Sequence, residues 1–111
     1  MTEHLFVYGT LAPNRPNAHI LEKIDSSGLW REAKIYGVLE QKGWGADVGF
    51  PGLVLSADRA VEIEGFLFSS NKIHQHWNEL DEFEGNEYSR QLIEVILENG
   101  EKQSAYVYAL S

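Results

Sequence analysis

The stretch Leu5-Phe6-Val7-Tyr8-Gly9-Thr10-Leu11 decides how the rest of the chain is interpreted. Its first part has the β-branched and aromatic residues of a buried strand, which we place at about residues 4–8. The strand runs into Gly9, which can adopt a positive φ and leave successive backbone N–H groups pointing outward. Such a turn can form a small anion-binding concavity, although many strands end in Gly-Thr without a ligand. The stretch therefore predicts a core strand and a loop that is a candidate binding site.

The composition limits the classes of protein to which the chain can belong. With 111 residues, 43% of them hydrophobic, we expect a single globular domain over residues 1–111. Cysteine is absent, which excludes disulfides and thiolate chemistry. No apolar run at the N-terminus suits a signal peptide or a membrane span, so we expect a cytoplasmic protein. The net charge of −8 disfavours nucleic acids and anionic membranes as partners.

Residue patterns divide the rest of the chain into strands and two helices. We predict strands at 29–40, 53–55, 61–68, 88–97 and 103–110, and helices at 17–24 and 72–83. Asn17 is the predicted cap of the first helix, and residues 69–71 supply caps for the second. Gly37 lies inside a strand and predicts a bulge or bend, which a barrel could use to curl. Asn99-Gly100 predicts the turn of a closing hairpin.

The second helix carries one acidic residue on its apolar stripe. Counting 100° per residue, four side chains fall within roughly 60° of one another: Ile73, Trp77, Leu80 and Glu84. By the same count Glu82 points to the opposite face and Glu79 lies well off the stripe. Glu84 is therefore the acid that is directed inward.

A carboxyl group at Glu84 would have an altered pKa for two reasons. Burial disfavours its ionised form, and the unpaired carbonyls at the helix end, with Gly85 as the predicted stop, repel negative charge. Both effects move the pKa from about 4.3 toward 6 or 7, where one group can accept and return a proton. The alternative is that the helix frays at Phe83 and that Glu84 turns to solvent, where it could pair with Arg90.

Other candidate sites have weaker support. The glycine-rich segment 43–52 predicts a loop in which Trp44 and Phe50 either line a pocket mouth or plug the end of a barrel. His74 and His76 lie two residues apart on a predicted helix and would point away from each other, so we predict no metal site. Motifs of serine hydrolases and of nucleotide-binding loops are missing.

Four motifs occur in order along nearly the whole chain: Phe6-Val7-Tyr8-Gly9-Thr10-Leu11, Phe50-Pro51-Gly52, Leu80-Asp81-Glu82-Phe83-Glu84-Gly85 followed by Tyr88 and Arg90, and Tyr106-Val107-Tyr108. Together they resemble the γ-glutamyl cyclotransferase-like family, without separating its branches. The resemblance implies an α+β fold in which a mixed β-sheet closes into a small barrel with helices outside it. It also implies a cavity at one end of the barrel.

The resemblance further implies the residues of the site. The loop Tyr8-Gly9-Thr10-Leu11 would bind the γ-glutamyl head group, and Glu84, not Glu82, would be the acid–base catalyst. Tyr8, Tyr88 and Arg90 are further candidates for ordering the pocket, although Tyr88 and Arg90 could equally belong to the barrel wall.

The expected reaction closes a γ-glutamyl amine or peptide, a small-molecule substrate, into 5-oxoproline and releases the attached amine. It requires no cofactor and no metal. The alternative is a binding or regulatory module that keeps the cavity but has lost turnover. Specificity for the leaving amine would lie in residues 14–17 and 44–50.

Overall fold

The computed structural model describes residues 2–9, 11–42, 52–55 and 60–110. Six strands are found there: β1 (Glu3–Val7), β2 (Leu29–Glu40), β3 (Gly52–Val54), β4 (Val61–Ser70), β5 (Tyr88–Leu97) and β6 (Lys102–Leu110). The helices are α1 (Ala18–Ile24), a 3₁₀ turn (Ile73–Gln75) and α2 (Trp77–Glu84). No helix in the described ranges has the length and apolar character needed to cross a membrane.

The six strands form one sheet in the order β3-β2-β4-β1-β6-β5, and β5 also pairs with β2. This last pairing closes a ring of five strands, to which β3 is added along the end of β2. β1 and β6 run parallel, with Leu5 opposite Tyr106, whereas the other paired strands are antiparallel. The predicted α+β fold with a mixed sheet closed into a small barrel is confirmed.

The strand alternation separates an inner from an outer core. The barrel interior holds side chains of every strand, as expected when successive residues point to opposite faces. Its buried members are Phe6, Ala33, Ile35, Leu53, Ile63, Leu67, Val95, Leu97, Ala105, Val107 and Ala109. The outer cluster packs α1 and α2 against β1 and β4, and it includes Leu5, Val7, Leu21, Phe68, Ile73 and Leu80. The helices thus cover one side of the barrel, and this packing fixes the positions of the helix ends.

Three local predictions need correction. The second helix is not continuous from residue 72, because Ser70 caps a separate 3₁₀ turn: its Oγ accepts hydrogen bonds from the N–H groups of Lys72 (3.0 Å) and Ile73 (3.2 Å). Asn17 is the residue before α1, but its side chain makes no capping hydrogen bond. Gly37 forms no bulge, since β2 pairs with β4 without interruption through Gly37.

The glycine at position 37 has a packing explanation instead. A Cβ atom there would lie 2.7 Å from Leu53 Cδ1 and 3.2 Å from the carbonyl oxygen of Val54. The residue marks the point at which β2 changes partner from β4 to β3. A side chain would therefore separate β3 from the barrel.

Candidate active site

Tyr8 ties three strands together at one end of the barrel. It follows β1 directly, and its partly buried ring stacks on Phe6 in the interior with the centroids 6.5 Å apart. Its hydroxyl donates a hydrogen bond to the carbonyl of Tyr108 on β6 (2.8 Å) and accepts one from the N–H of Leu53 on β3 (3.0 Å). The end of β1 is therefore fixed relative to its neighbours.

Glu84 is the last residue of α2, and its side chain is partly buried. Gly85 ends the helix at φ 86°, and its N–H donates to the carbonyl of Asp81 (3.0 Å). The helix thus does not fray at Phe83. Burial raises the pKa of Glu84 from 4.5 to about 7. This carboxyl group can change its protonation state near neutral pH.

The charge of this carboxyl group acts on three tyrosines. Burial is the largest cause that raises the pKa of each phenol, and the negative charge of Glu84 adds to it at Tyr8, Tyr88 and Tyr108. Tyr8 comes from β1, Tyr88 from the start of β5 and Tyr108 from β6. The charge of Glu84, at the end of the second helix, thus acts on Tyr8 at the end of the first strand.

The loop after β1 begins with a turn in which Ala12 N–H donates to the carbonyl of Gly9 (3.1 Å). Gly9 does not use its freedom to adopt a positive φ, since the described glycines with positive φ are Gly85 and Gly100. Among the described residues, none has an atom within 4 Å of a Cβ atom added at Gly9. Thr10 lies outside the described residues, and Leu11 is buried.

Arg90 is packed between α2 and the sheet, as in the alternative in which it belongs to the barrel wall. Its guanidinium lies over the rings of Trp77 (4.6 Å from Cζ to the centroid) and Tyr106 (5.3 Å), and its Nε atom is 3.7 Å from Asp81 Oδ1. Within the described ranges, its Nη1 atom is buried without a hydrogen-bond partner, beside these aromatic faces. Arg90 therefore anchors α2 to the sheet through its ion pair with Asp81.

Asp81 and Tyr108 were missed as members of this site. The Tyr108 hydroxyl donates to Asp81 Oδ1 (2.7 Å), so Asp81 joins α2 to both β5 and β6. A helical count started at Trp77 would have found it, since residues 77, 81 and 84 share one face.

The remaining predicted residues divide into exposed and undescribed ones. Glu79 and Glu82 are exposed, as the helical count predicts, and Glu79 pairs with His76 (3.2 Å). Trp44 and Phe50 lie outside the described residues. Among the residues that are described, no group of three or more His, Cys, Asp or Glu side chains could hold a metal ion.

Comparisons with known proteins agree with this architecture. The model of the family described as "Gamma-glutamyl cyclotransferase, AIG2-like" matches residues 5–111. The crystal structure of YkqA from Bacillus subtilis is similar over 100% of this chain, with 25% identity and a TM-score of 0.74. This chain covers only 36% of YkqA, so it spans about a third of that protein's length.

Two further solved structures share the fold. One is described as a gamma-glutamyl cyclotransferase (18% identity, TM-score 0.66). The match covers 100% of this chain and 68% of that chain. The other is an AIG2-like protein from Mus musculus (21% identity, TM-score 0.61), with 99% of this chain and 78% of that chain covered. No curated protein sequence matches the chain significantly.

Proposed function

Because the chain belongs to the gamma-glutamyl cyclotransferase, AIG2-like family, we propose that it converts a γ-glutamyl amine or small γ-glutamyl peptide into 5-oxoproline and a free amine. The observation that carries the proposal is the Glu84 carboxyl group, because burial raises its pKa to about 7. Its charge acts on three tyrosines at one end of the barrel. A group with that pKa is suited to both halves of an acid–base cycle at neutral pH.

The reaction is an amide exchange within one substrate molecule. A bond forms between the α-nitrogen and the side-chain carbonyl carbon, and the bond from that carbon to the leaving nitrogen breaks. Protons released by the attacking nitrogen end on the leaving nitrogen, and Glu84 carries them between the two. Since nucleophile and carbonyl belong to one molecule, holding the substrate in a ring-like pose removes much of the entropic barrier.

The loop at Gly9 is the proposed place for the γ-glutamyl head group. No described residue fills the space beside Gly9, so main-chain N–H groups of residues 9–11 could contact a carboxylate or the developing oxyanion there. A donor in that role contributes roughly 3 to 4 kcal/mol to transition-state stabilisation. Tyr88, partly buried beside Glu84, is the proposed side-chain contact of the substrate.

The test is release of 5-oxoproline from a panel of γ-glutamyl amines and peptides by the purified protein. We expect Glu84→Gln to lower kcat by roughly 10²- to 10⁴-fold, the usual contribution of a general acid–base group. Glu82→Gln, a matched change on the exposed face of the same helix, should leave turnover unchanged. Equal turnover by wild type and Glu84→Gln would refute the proposed role. Saturable binding by wild type without product would instead support the binding module.

A further inference from the structure

The hydroxyl of Tyr108 has one proton, and the structure shows where that proton goes. The hydroxyl donates to Asp81 Oδ1 at 2.7 Å. A phenol is a single donor, so a hydroxyl engaged in this way has no proton for a second acceptor.

The accepting carboxylate is held in place from the other strand. Arg90 Nε lies 3.7 Å from the same oxygen of Asp81, and the guanidinium is packed against Trp77 and Tyr106. The Arg90 side chain is 26% exposed and that of Asp81 43%, so the pair lies at the edge of the site, partly shielded from water. The ion pair and the hydrogen bond thus hold the Asp81 carboxyl group at the Tyr108 hydroxyl.

Glu84 stands one helical turn from Asp81. Side chains three residues apart on a helix are neighbours, with Cβ atoms about 5 to 6 Å apart. The Tyr108 hydroxyl, 2.7 Å from Asp81 Oδ1, therefore lies on the helical face that Glu84 shares. The negative charges of both carboxyl groups also raise the pKa of the Tyr108 phenol. Within the described part of the chain, the phenols on which the charge of Glu84 acts are Tyr8 from β1, Tyr88 from β5 and Tyr108 from β6. Asp81 lies one turn earlier on α2, and Arg90 from β5 pairs with Asp81. Of these phenols, Tyr8 has also donated its proton elsewhere, to the carbonyl of Tyr108.

We infer that Asp81 is a positioning residue for Glu84: by accepting the proton of the Tyr108 hydroxyl, it prevents that hydroxyl from donating to the Glu84 carboxylate. A hydrogen bond donated to a carboxylate stabilises its ionised form and would counteract the effect of burial. The consequence for turnover rests on the proposed acid–base role of Glu84. The titration itself does not, since it requires no substrate.

Two substitutions of Asp81 separate its hydrogen bond from its charge. Asp81→Asn removes the charge but keeps an oxygen that can accept from Tyr108, whereas Asp81→Ala removes both. We expect Asp81→Ala to lower the pKa of Glu84 by about one unit more than Asp81→Asn does, a tenfold difference in proton affinity. Adding Tyr108→Phe to Asp81→Ala should reverse that extra shift, because the freed donor is then gone. Glu82→Ala, which removes an exposed carboxylate from the same helix, should leave the titration unchanged.

The measurement is the ¹³C shift of the Glu84 carboxyl carbon as a function of pH, assigned by its loss in Glu84→Gln. Thermal unfolding of each variant checks that it is folded. If Asp81→Ala unfolds, Asp81→Ser replaces it, because a serine side chain at position 81 is too short to reach Tyr108. The inference would be overturned if Asp81→Ala and Asp81→Asn lowered the pKa of Glu84 equally, because charge alone would then act. It would also be overturned if Tyr108→Phe did not reverse the extra decrease in that pKa. If the shifts follow expectation but no γ-glutamyl compound is turned over, the proposed function fails and the positioning role stands.

Discussion

Two carboxyl groups sit at the C-terminal ends of the two α-helices, and their pKa values move in opposite directions. Asp25 ends α1, is 6% exposed and accepts hydrogen bonds from the N–H and hydroxyl of Ser27 (3.0 and 2.6 Å) and from the hydroxyl of Ser70 (2.7 Å). The side-chain hydrogen bonds of Ser27 and Ser70 are the main causes that hold its pKa below 3.8. Glu84 ends α2, and burial raises its pKa to about 7.

The comparison shows that burial does not by itself set the direction of a pKa shift. Both carboxyls face the unfavourable end of a helix dipole, and both are withdrawn from water. Asp25 receives three hydrogen bonds that favour its charged form, whereas at Glu84 the effect of burial prevails. The first arrangement stabilises the fold at neutral pH. The second allows the carboxyl group of Glu84 to bind and release a proton near neutral pH.

The largest stability effect should come from the titration of Glu84. Its pKa is raised from 4.5 to about 7 in the folded state, so the unfolded chain binds fewer protons between these pH values. Stability should therefore fall as the pH rises through this window, by at most about 3 kcal/mol, since each pKa unit corresponds to 1.36 kcal/mol. Glu84→Gln removes this dependence, so its free energy of unfolding should match that of wild type near pH 4.5 and exceed it at pH 8.

Urea unfolding of both proteins at several pH values between 4.5 and 8 makes the measurement. Glu82→Gln serves as the control, because Glu82 is exposed on the same helix. The free energy of unfolding of Glu82→Gln should vary with pH as that of wild type does. If the free energy of unfolding of Glu84→Gln also varied with pH as in wild type, the folded protein would not retain the proton of Glu84, and the contrast with Asp25 would disappear.

The next effect concerns how α2 ends. Gly85 has φ 86° and ψ −178°, a conformation that is almost restricted to glycine, whereas Asp25 ends α1 in an extended conformation. No described residue lies within 4 Å of a Cβ added at Gly85, so Gly85→Ala should cost about 2 kcal/mol through backbone strain. Gly9→Ala is the matched control, because Gly9 has equally open surroundings and no positive φ. Chemical denaturation compares the two, and an equal cost would show that strain at Gly85 is not what fixes the helix end.

Sequence periodicity could predict the barrel strands and the inward direction of Glu84, because both depend on local repeats. β2 and β5 match the predicted ranges, and Gly85 marks the predicted helix end. Long-range contacts could not be predicted in the same way. The hydrogen bond between Tyr108 and Asp81 joins residues 27 positions apart, and that between Ser70 and Asp25 joins residues 45 apart.

The link between Ser70 and Asp25 also explains why the predicted cap at residues 69–71 produced a 3₁₀ turn. The Ser70 hydroxyl accepts from two main-chain N–H groups while it donates to Asp25, which ties the turn to the end of α1. This geometry starts a short turn where the sequence pattern predicted one longer helix. A residue can therefore be identified as a cap from its type, while the partner that determines its geometry comes from a distant segment.

Ser70→Ala should have the smallest of the three effects, a loss of about 1 kcal/mol at pH 7, typical of a removed capping residue. The loss should shrink in acid. The pKa of Asp25 lies below 3.8 in the folded state, so its stabilising contribution is present above that pH and disappears as the pH falls through the folded-state pKa. Ser104→Ala, an exposed serine on β6, is the control and should have little effect at either pH. Free energies of unfolding measured at pH 7 and pH 3 test this prediction. If Ser70→Ala lowered the free energy of unfolding equally at both pH values, the hydroxyl would act only on the 3₁₀ turn and would not hold Asp25 in its ionised form.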